Sequence, residues 1–378
     1  MPWKENTTMS QKQGFILQAK GENRNISALC REYGISRKTG YKWLKREAED
    51  GVEGLVEHSR KPHHSPNQTQ EHIEERVLAV RKEHPAWGGR KIRKVLLNAG
   101  YGQVPAASTI TAILHRESRI DPTEAHKHKP YQRFEKERPN ELWQMDFKGY
   151  FRLEAGGYCH PLTVLDDHSR FLIGLRACAN ERFETVQTQL IRLFRQFGLP
   201  ERMLMDNGSP WGDDRNNPYT VLTAWLIRLN IAISHCGPHH PQTQGKDERL
   251  HRSLKKEVLR RYSLTDLDES QLAFDDWWYV YNYQRPHEAL GLDYPGSRYQ
   301  PSSRPYPETL PPVIYMDGDH LRKVDSAGRI SFANRVIRVG KAFRGFPVAV
   351  RPSVQDGIFQ VFFCAQPVAK IDLKSNNC

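Results

Sequence analysis

At Leu142 the hydrophobic pattern of this 378-residue chain changes period, and the change restricts the folds open to it. Before that point apolar residues recur at helical spacing. After it come three strand-like runs, Leu142 to Tyr150, Tyr158 to Leu165 and Phe171 to Ala177, joined by Gly156-Gly157 and by the turn Asp166-Asp167-His168-Ser169. An amphipathic helix over Phe183 to Phe197 follows, then a short strand (Arg202 to Met205), a helix around Thr220 to Leu229, a strand (Ile231 to Ser234) and a long helix from about Thr243 to Tyr262. Three meandering strands followed by alternating helix and strand predict an α/β core, a mixed sheet covered by helices.

The region ahead of the core reads as two all-α units. Met9, Ile16, Leu17 and Ala19 place a helix over 9–20, and Ile26, Leu29 and Cys30 share one face of a second. Gly34 then stops that helix and Ser36 caps a third, Arg37 to about Arg46, which is the layout of a helix-turn-helix within residues 1–60. Arg37, Lys38, Thr39, Lys42 and Lys45 lie where a recognition helix meets base edges and phosphates, Tyr41, Trp43 and Leu44 are expected to pack inward, and Gly40 weakens the helix. The plainer account is ordinary helical core with a solvated basic face; the coincidence of cap, turn and basic face favours DNA binding.

Residues 68–118 hold a second unit, with helices near 70–83, 89–99 and 106–116 broken by His84-Pro85 and by Tyr101-Gly102 through Pro105. Arg90, Lys91, Arg93 and Lys94 make its middle helix basic, consistent with a second helix-turn-helix or with a helical spacer. Residues 119–138 are charged and read as a linker, and His63 and His64 as linker residues with no cysteine beside them to complete a zinc site.

Charge points the same way. The formal net charge is +12, and residues 1–138 carry 26 Lys plus Arg against 17 Asp plus Glu, so +9 of the excess lies in the first third of the chain. A polyanionic partner, nucleic acid first, is the expectation. The six cysteines are scattered without a CxxC pair and read as reduced thiols, and no apolar run reaches the length of a membrane span. A soluble cytoplasmic protein acting on the chromosome is expected. Beyond a Pro/Ser-rich linker at 299–312, alternating runs predict a small β-barrel over 313–373, whose Arg335, Arg338, Lys341 and Arg344 are available to DNA; a structural or oligomerising barrel fits equally well.

Three carboxylates stand at informative places in the core. Asp146 lies inside the first strand, where an acid is costly unless a cation or hydrogen bonds compensate it. Asp206 follows directly on the fourth strand, at the edge where α/β ligand sites gather, and Glu248 stands one turn into the long helix. The separations, 60 and 42 residues, are too long for a local loop site, so only a fold unites the three. Hard oxygen ligands from three elements suit Mg²⁺ or Mn²⁺, and two such ions about 4 Å apart support in-line phosphoryl displacement. Helical phase alone does not exclude Asp247 as the third acid, and a surface Glu248 paired with Arg252 at i,i+4 is the commonplace alternative. Asp213 and Asp214 read as loop acids.

The set Trp143-Gln144-Met145-Asp146, Met205-Asp206-Asn207-Gly208, His240-Pro241-Gln242-Thr243-Gln244-Gly245-Lys246-Asp247-Glu248-Arg249 and Tyr281-Asn282-Tyr283-Gln284-Arg285-Pro286-His287 closely resembles bacterial insertion-sequence transposases of the DDE type with a retroviral-integrase-like core. The resemblance extends forward through Ile35 to Leu44. It implies a ribonuclease H-like core over 139–300, with Asp146, Asp206 and Glu248 binding two catalytic metal ions. It also implies metal-dependent cleavage and strand transfer at the terminal inverted repeats of a mobile element, by a homo-oligomer assembled on double-stranded DNA. Lys246, Arg252 and Lys255 match positions that approach the DNA end in related enzymes; Arg285 and His287 belong to the signature as DNA contacts or as anchors. Retroviral integrases carry a His/Cys zinc module that has no match here, so the helix-turn-helix units are expected to recognise the ends. A DNA-binding regulator that keeps the nuclease fold without its activity is the competing class.

Overall fold

A computed structural model describes residues 7–21, 24–57, 69–120, 135–212, 218–235 and 245–374. It divides into two compact units, Met1–Gln68 and Thr69–Cys378.

The first unit holds α1 (Thr8–Ala19), α2 (Ile26–Glu32) and α3 (Arg37–Asp50). Its ends are written locally: Thr7 accepts from the Ser10 amide, Asn25 from the amides of Ser27 and Ala28, and Ser36 from that of Thr39. Gly34 turns the chain at φ +64°, and the Ile35 amide closes back on the Cys30 carbonyl. Phe15, Ile16, Leu29, Cys30, Trp43 and Leu55 form the core. The glycine that weakens α3 has a packing reason: a Cβ on Gly40 would lie 2.6 Å from Cys30 Sγ and 2.9 Å from Phe15 Cζ. Tyr41 differs from expectation. It is 57% exposed, in line with Arg37 and Lys45 on the outer face, while Trp43 alone of the three expected inward residues is fully buried.

The second unit begins with α4 (Glu71–Glu83), α5 (Gly89–Asn98) and α6 (Ala107–Arg116), packed around Val77, Trp87, Ile92, Leu96, Ile110 and Leu114. Gly89 is obligatory where α5 crosses α6, since a Cβ there would meet the Ala107 carbonyl at 2.3 Å. These helices and the following core form one compact unit.

The core sheet comprises β1 (Trp143–Phe147), β2 (Phe151–Arg152), β3 (Tyr158–Asp166), β4 (Leu172–Cys178), β5 (Arg202–Met205) and β6 (Ala232–His235). Its main order is β4-β3-β1-β5-β6, with the short β2 on the end of β3. β1 pairs antiparallel with β3 and β3 with β4, whereas β1, β5 and β6 run parallel, so the sheet is mixed as the pattern implied. On one face α7 (Phe183–Phe197) and α8 (Val221–Arg228) cover Trp143, Met145, Leu162 and Val164. On the other, α9 (Gly245–Leu254) and α10 (Leu267–Tyr279) cover Cys159, Leu165, Leu172 and Leu175. π-helical turns at Lys255–Leu259 and Val280–Gln284 extend α9 and α10.

The C-terminal part is antiparallel. β7 (His320–Lys323), β10 (Pro347–Pro352), β11 (Ile358–Phe363) and β12 (Gln366–Asp372) form a four-stranded sheet, and β8 (Arg329–Phe332) with β9 (Arg335–Arg338) a separate two-stranded ribbon. The pairings among described residues do not close a barrel. The sheet meets the core at the free edge of β6, where the Ile233 amide donates to Gln366 Oε1 at 3.3 Å and Tyr219 donates to the Pro367 carbonyl at 3.1 Å. Covering that edge removes a strand that would otherwise pair with other chains. Cys30, Cys159 and Cys178 are buried free thiols, and among the described residues no helix is long and apolar enough to cross a membrane.

Candidate active site

Asp146 and Asp206 meet because β1 and β5 run side by side in the same direction. Their parallel register pairs Gln144 with Leu204, and two residues further along the same register Asp146 stands abreast of Asp206 at the carboxyl ends of both strands. Thr163, opposite Asp146 on β3, fixes this end: its hydroxyl donates to the Asp146 carbonyl at 3.0 Å and lies 2.8 Å from His251 Nε2. His251 Nδ1 is 3.9 Å from Asp146 Oδ2. Asp206 accepts from the Gly208 amide at 3.0 Å, and its carbonyl bonds to His235 Nδ1 at 2.9 Å.

Both acids are half-buried, and the electrostatics follow from that. Burial, then the neighbouring charge of Asp206, pushes the Asp146 carboxyl up to about 7. Asp206 is raised by burial, with the Gly208 amide opposing. His251 is driven down to about 3 by burial and by Lys148, so its imidazole is neutral and cannot serve as the counter-charge. Among the described residues no lysine or arginine pairs with either carboxylate, and a bound cation would balance the charge of the two.

The helix that follows keeps the division that its sequence phase sets, with Leu250, Leu254 and Val258 as an apolar stripe edged by Asp247 and with Glu248, Arg252 and Lys255 on another face, and differs only at His251. Asp247, Leu250, His251 and Leu254 are buried against the sheet, whereas Glu248, Arg249, Arg252 and Lys255 face outward. Asp247 is fully buried with both carboxylate oxygens unpartnered among the described residues, and burial, with Asp146 and Asp167 nearby, raises it well above the usual carboxylate range. Among the described residues no group of three metal-ligating side chains converges. The pair Asp146 and Asp206 is therefore assembled, while Glu248 stands one residue, or about 100° of helix, from the inward face. Asp213, Asp214 and the His240 to Gln244 segment lie outside the described residues, as do His63, His64 and most of the 119–138 linker.

Several basic residues expected at DNA have partners within the chain. Lys246 turns inward onto the buried Asp167 carboxylate, which also accepts from Gln144 Nε2 at 2.6 Å and from the Lys136 amide at 2.9 Å. Lys91 is sunk against the core, and burial followed by the charge of Arg285 lowers it to about 7. Lys94 lies 3.5 Å from Asp293. Arg90, Arg252 and Lys255 remain exposed, as do Arg37, Lys38, Lys42 and Lys45 of α3, although Lys42 approaches Glu57 at 3.8 Å and Lys45 approaches Glu49 at 3.7 Å; Thr39 is half-buried. Arg285 and His287 are anchors. The Arg285 guanidinium donates to Glu257 at 3.0 Å and to Ser253 Oγ at 3.0 Å, and His287 packs edge-on to Tyr281.

Three features escaped the sequence reading. His251 lies on the buried stripe with Leu250 and Leu254, although helical phase grouped it with Glu248, Arg252 and Lys255. The turn after β3 is a buried polar knot: Asp166 accepts from the Asn140 and Ser169 amides, and Arg170 pairs with Glu135 at 3.1 Å. Its sequence signal was two adjacent acids and an arginine in a tight turn between apolar strands. Glu181 adds its charge to both Asp146 and Asp206.

Comparison with known proteins matches these parts one by one. Family models described as integrase core domain match residues 136–241 and 229–295, and one described as IS481 family transposase, C-terminal domain matches 319–378. A helix-turn-helix domain model matches 11–63 and a homeodomain-like model 39–114. Among relatives, the transposase for transposon Tn552 of Staphylococcus aureus is 24% identical over 277 residues, 67% of this chain and 56% of that protein. The Gag-Pro-Pol polyprotein of Mason-Pfizer monkey virus is 32% identical over 120 residues, 32% of this chain and 6% of that polyprotein. The chain thus spans about half of the first relative and a small part of the second. Among solved structures, the simian T-cell lymphotropic virus intasome aligns at 14% identity and TM-score 0.39, over 79% of this chain and 96% of that one. The HTLV-2 integrase catalytic core domain in complex with magnesium aligns at 17% identity and TM-score 0.33, over 43% of this chain and 99% of that one. Models for helix-turn-helix, integrase core and transposase C-terminal domains thus follow one another in this order along the chain.

Proposed function

We propose that this chain is a DDE transposase that binds the terminal inverted repeats of an insertion sequence and catalyses metal-dependent DNA cleavage and strand transfer. The observation that carries the reading is the pair Asp146 and Asp206, set abreast at the carboxyl ends of β1 and β5 within the part of the chain that matches the integrase core. The strand order supports a ribonuclease H-like core.

The site fits hard divalent cations. Its donors are carboxylate oxygens, its acids repel one another, and the nearest imidazole is neutral. Asp146, Asp206 and Glu248 would hold Mg²⁺ or Mn²⁺, two ions in all; the bound metal would supply Lewis-acid activation of the attacking oxygen and of the scissile phosphate. The chain's own part is positional. Thr163 fixes the backbone of Asp146, His251 packs beside its carboxyl, the Gly208 amide orients Asp206, and the outward face of α9 with Arg252 and Lys255 lines the strand's approach. Asp247 is the competing third acid because it is the one aimed at the sheet. Glu248 is preferred because a phosphate cannot reach a fully enclosed carboxyl, whereas Glu248 shares the accessible face with the basic residues.

Arg37, Lys38, Thr39, Lys42 and Lys45 of α3 would contact the inverted repeat, with Arg90 adding a phosphate contact. Lys94 and Lys246, given their internal partners, and Lys91, given its burial, hold the protein rather than the DNA in this reading. The C-terminal strands share a core of Val324, Ile330, Val339, Phe343, Val350 and Phe363, which supports barrel-like packing of sheet and ribbon. Two DNA ends joined in one reaction call for a homo-oligomer on DNA, and a bacterial cytoplasm with nucleoid association suits that work. The test is cleavage and strand transfer on duplexes carrying the element's ends with Mg²⁺ or Mn²⁺. Loss of both in Asp146→Asn and Asp206→Asn is expected; undiminished activity in either variant contradicts the reading.

A further inference from the structure

Beside the acid pair lies an aromatic surface that none of the matched features accounts for. Three residues after Asp146 the chain turns at Gly149, whose φ of +85° sends Tyr150 out into solvent. Tyr150 is 69% exposed and Tyr158 is 51% exposed, and their rings meet edge-to-face with centroids 5.2 Å apart. Two exposed tyrosines in edge-to-face contact present an open π surface.

From the pair, two contacts lead to a carboxylate whose charge is felt at the site. The Tyr150 ring lies 5.6 Å from that of His160, and His160 Nδ1 is 2.8 Å from Glu181, the carboxylate whose charge reaches both Asp146 and Asp206. Cations flank it: Arg152 is paired across β2 and β3 with Tyr158, and Lys148 lies close enough to Lys255 of the α9 extension for their charges to act on one another. Aromatic faces interleaved with basic groups along a strand path are the general composition of a surface that holds unpaired nucleic acid, the rings stacking bases and the cations following phosphates.

We propose that Tyr150 and Tyr158 form a stacking platform for an unpaired DNA base next to the scissile phosphate. This rests on the reading of the acid pair as a DNA-cleaving site, and deepens it by giving the site a preference for frayed or single-stranded DNA at its mouth. A base stacked on Tyr150 would leave its backbone over Lys148 and Lys255, beside Asp146.

The test uses the full chain and two probes of one sequence: a blunt duplex, and the same duplex with a four-nucleotide single-stranded overhang carrying 2-aminopurine. The wild type is expected to bind the overhang duplex more tightly and to quench the 2-aminopurine. Tyr150→Ala and Tyr158→Ala should each lower the overhang-to-blunt affinity ratio by about tenfold and restore the fluorescence, while Tyr150→Phe keeps both. Both positions are exposed, so these variants retain their fold. A wild type that binds the blunt duplex but shows no overhang preference and no quenching overturns the platform and leaves the DNA-cleaving reading standing, as does an unchanged ratio in both alanine variants. A wild type that binds neither probe overturns both.

Discussion

Removing the Arg285 guanidinium should cost the second unit about 3–5 kcal/mol, because it leaves a buried carboxylate without its counter-charge. Arg285 is 7% exposed and its partner Glu257, in the π-helical turn that extends α9, has a side chain 10% exposed and also accepts from Trp277 Nε1 at 2.9 Å. In Arg285→Ala three things go at once: the charge-assisted bond to Glu257 at 3.0 Å, the bond to Ser253 Oγ at 3.0 Å, and the cation over the Tyr281 ring at 5.7 Å. The first dominates, since a neutral bond contributes only about 1 kcal/mol and a partly enclosed cation–π contact about as much. Urea unfolding followed by tryptophan fluorescence reads the loss, with Trp277 a direct reporter. Arg285→Met with Glu257→Gln should lose clearly less than the sum of the two single changes, because the double variant leaves no unpaired charge. A single-variant loss below about 1 kcal/mol, or strict additivity, refutes the assignment of Arg285 as an anchor and reopens a DNA role for it.

The neighbouring Lys91 gives a prediction in pH. Its folded value lies near 7 against an ordinary 10.5, so between those limits the unfolded chain binds the extra proton and stability should rise as pH rises. Lys91→Met should flatten that slope in unfolding measured from pH 7 to 10; an unaltered slope contradicts the burial of this side chain. Asp247 has the opposite sign: its carboxyl is raised in the folded chain, so its contribution is lost as pH rises, and Asp247→Asn without metal should stabilise the protein at pH 8 by an amount that shrinks on acidification. Equal stability of the two proteins at pH 8 would count against its enclosure. Gly40→Ala should destabilise the first unit by roughly 1–3 kcal/mol despite alanine's better helix propensity, because the methyl meets Cys30 and Phe15; a raised melting temperature for that unit would show that α2 and α3 can part.

What the sequence disclosed was local. Ser36 and Gly34 announce the ends of α2 and α3 because a cap is settled within four residues, and Asp146 and Asp206 declare themselves because an acid at the end of an apolar strand is costly wherever the strand lies. The positions that misled depend on what packs from far along the chain. Lys91 and Lys94 look like a recognition face on α5 until residues 285–294 close over them, nearly two hundred positions later. Lys246 looks free until Asp167 is brought to it by the sheet, and Tyr41 looks apolar enough to bury although Gly40 and Trp43 already fill the contact with α1 and α2. On α9 the spacing of Leu250, Leu254 and Val258 already set Asp247 at the edge of the apolar stripe and Glu248 outside it; His251 was misplaced because a histidine among Arg252 and Lys255 reads as part of a basic face until Thr163 is brought to its Nε2 by the sheet.

The central claim, that Asp146, Asp206 and Glu248 together hold the catalytic metal, is tested most directly by strand transfer measured side by side in Glu248→Gln and Asp247→Asn, with Asp146→Asn as reference. Loss of Mg²⁺-dependent product in Glu248→Gln to the level of Asp146→Asn, with product retained in Asp247→Asn, is the predicted result. Product retained in Glu248→Gln and lost in Asp247→Asn would contradict it and move the third ligand to the buried acid.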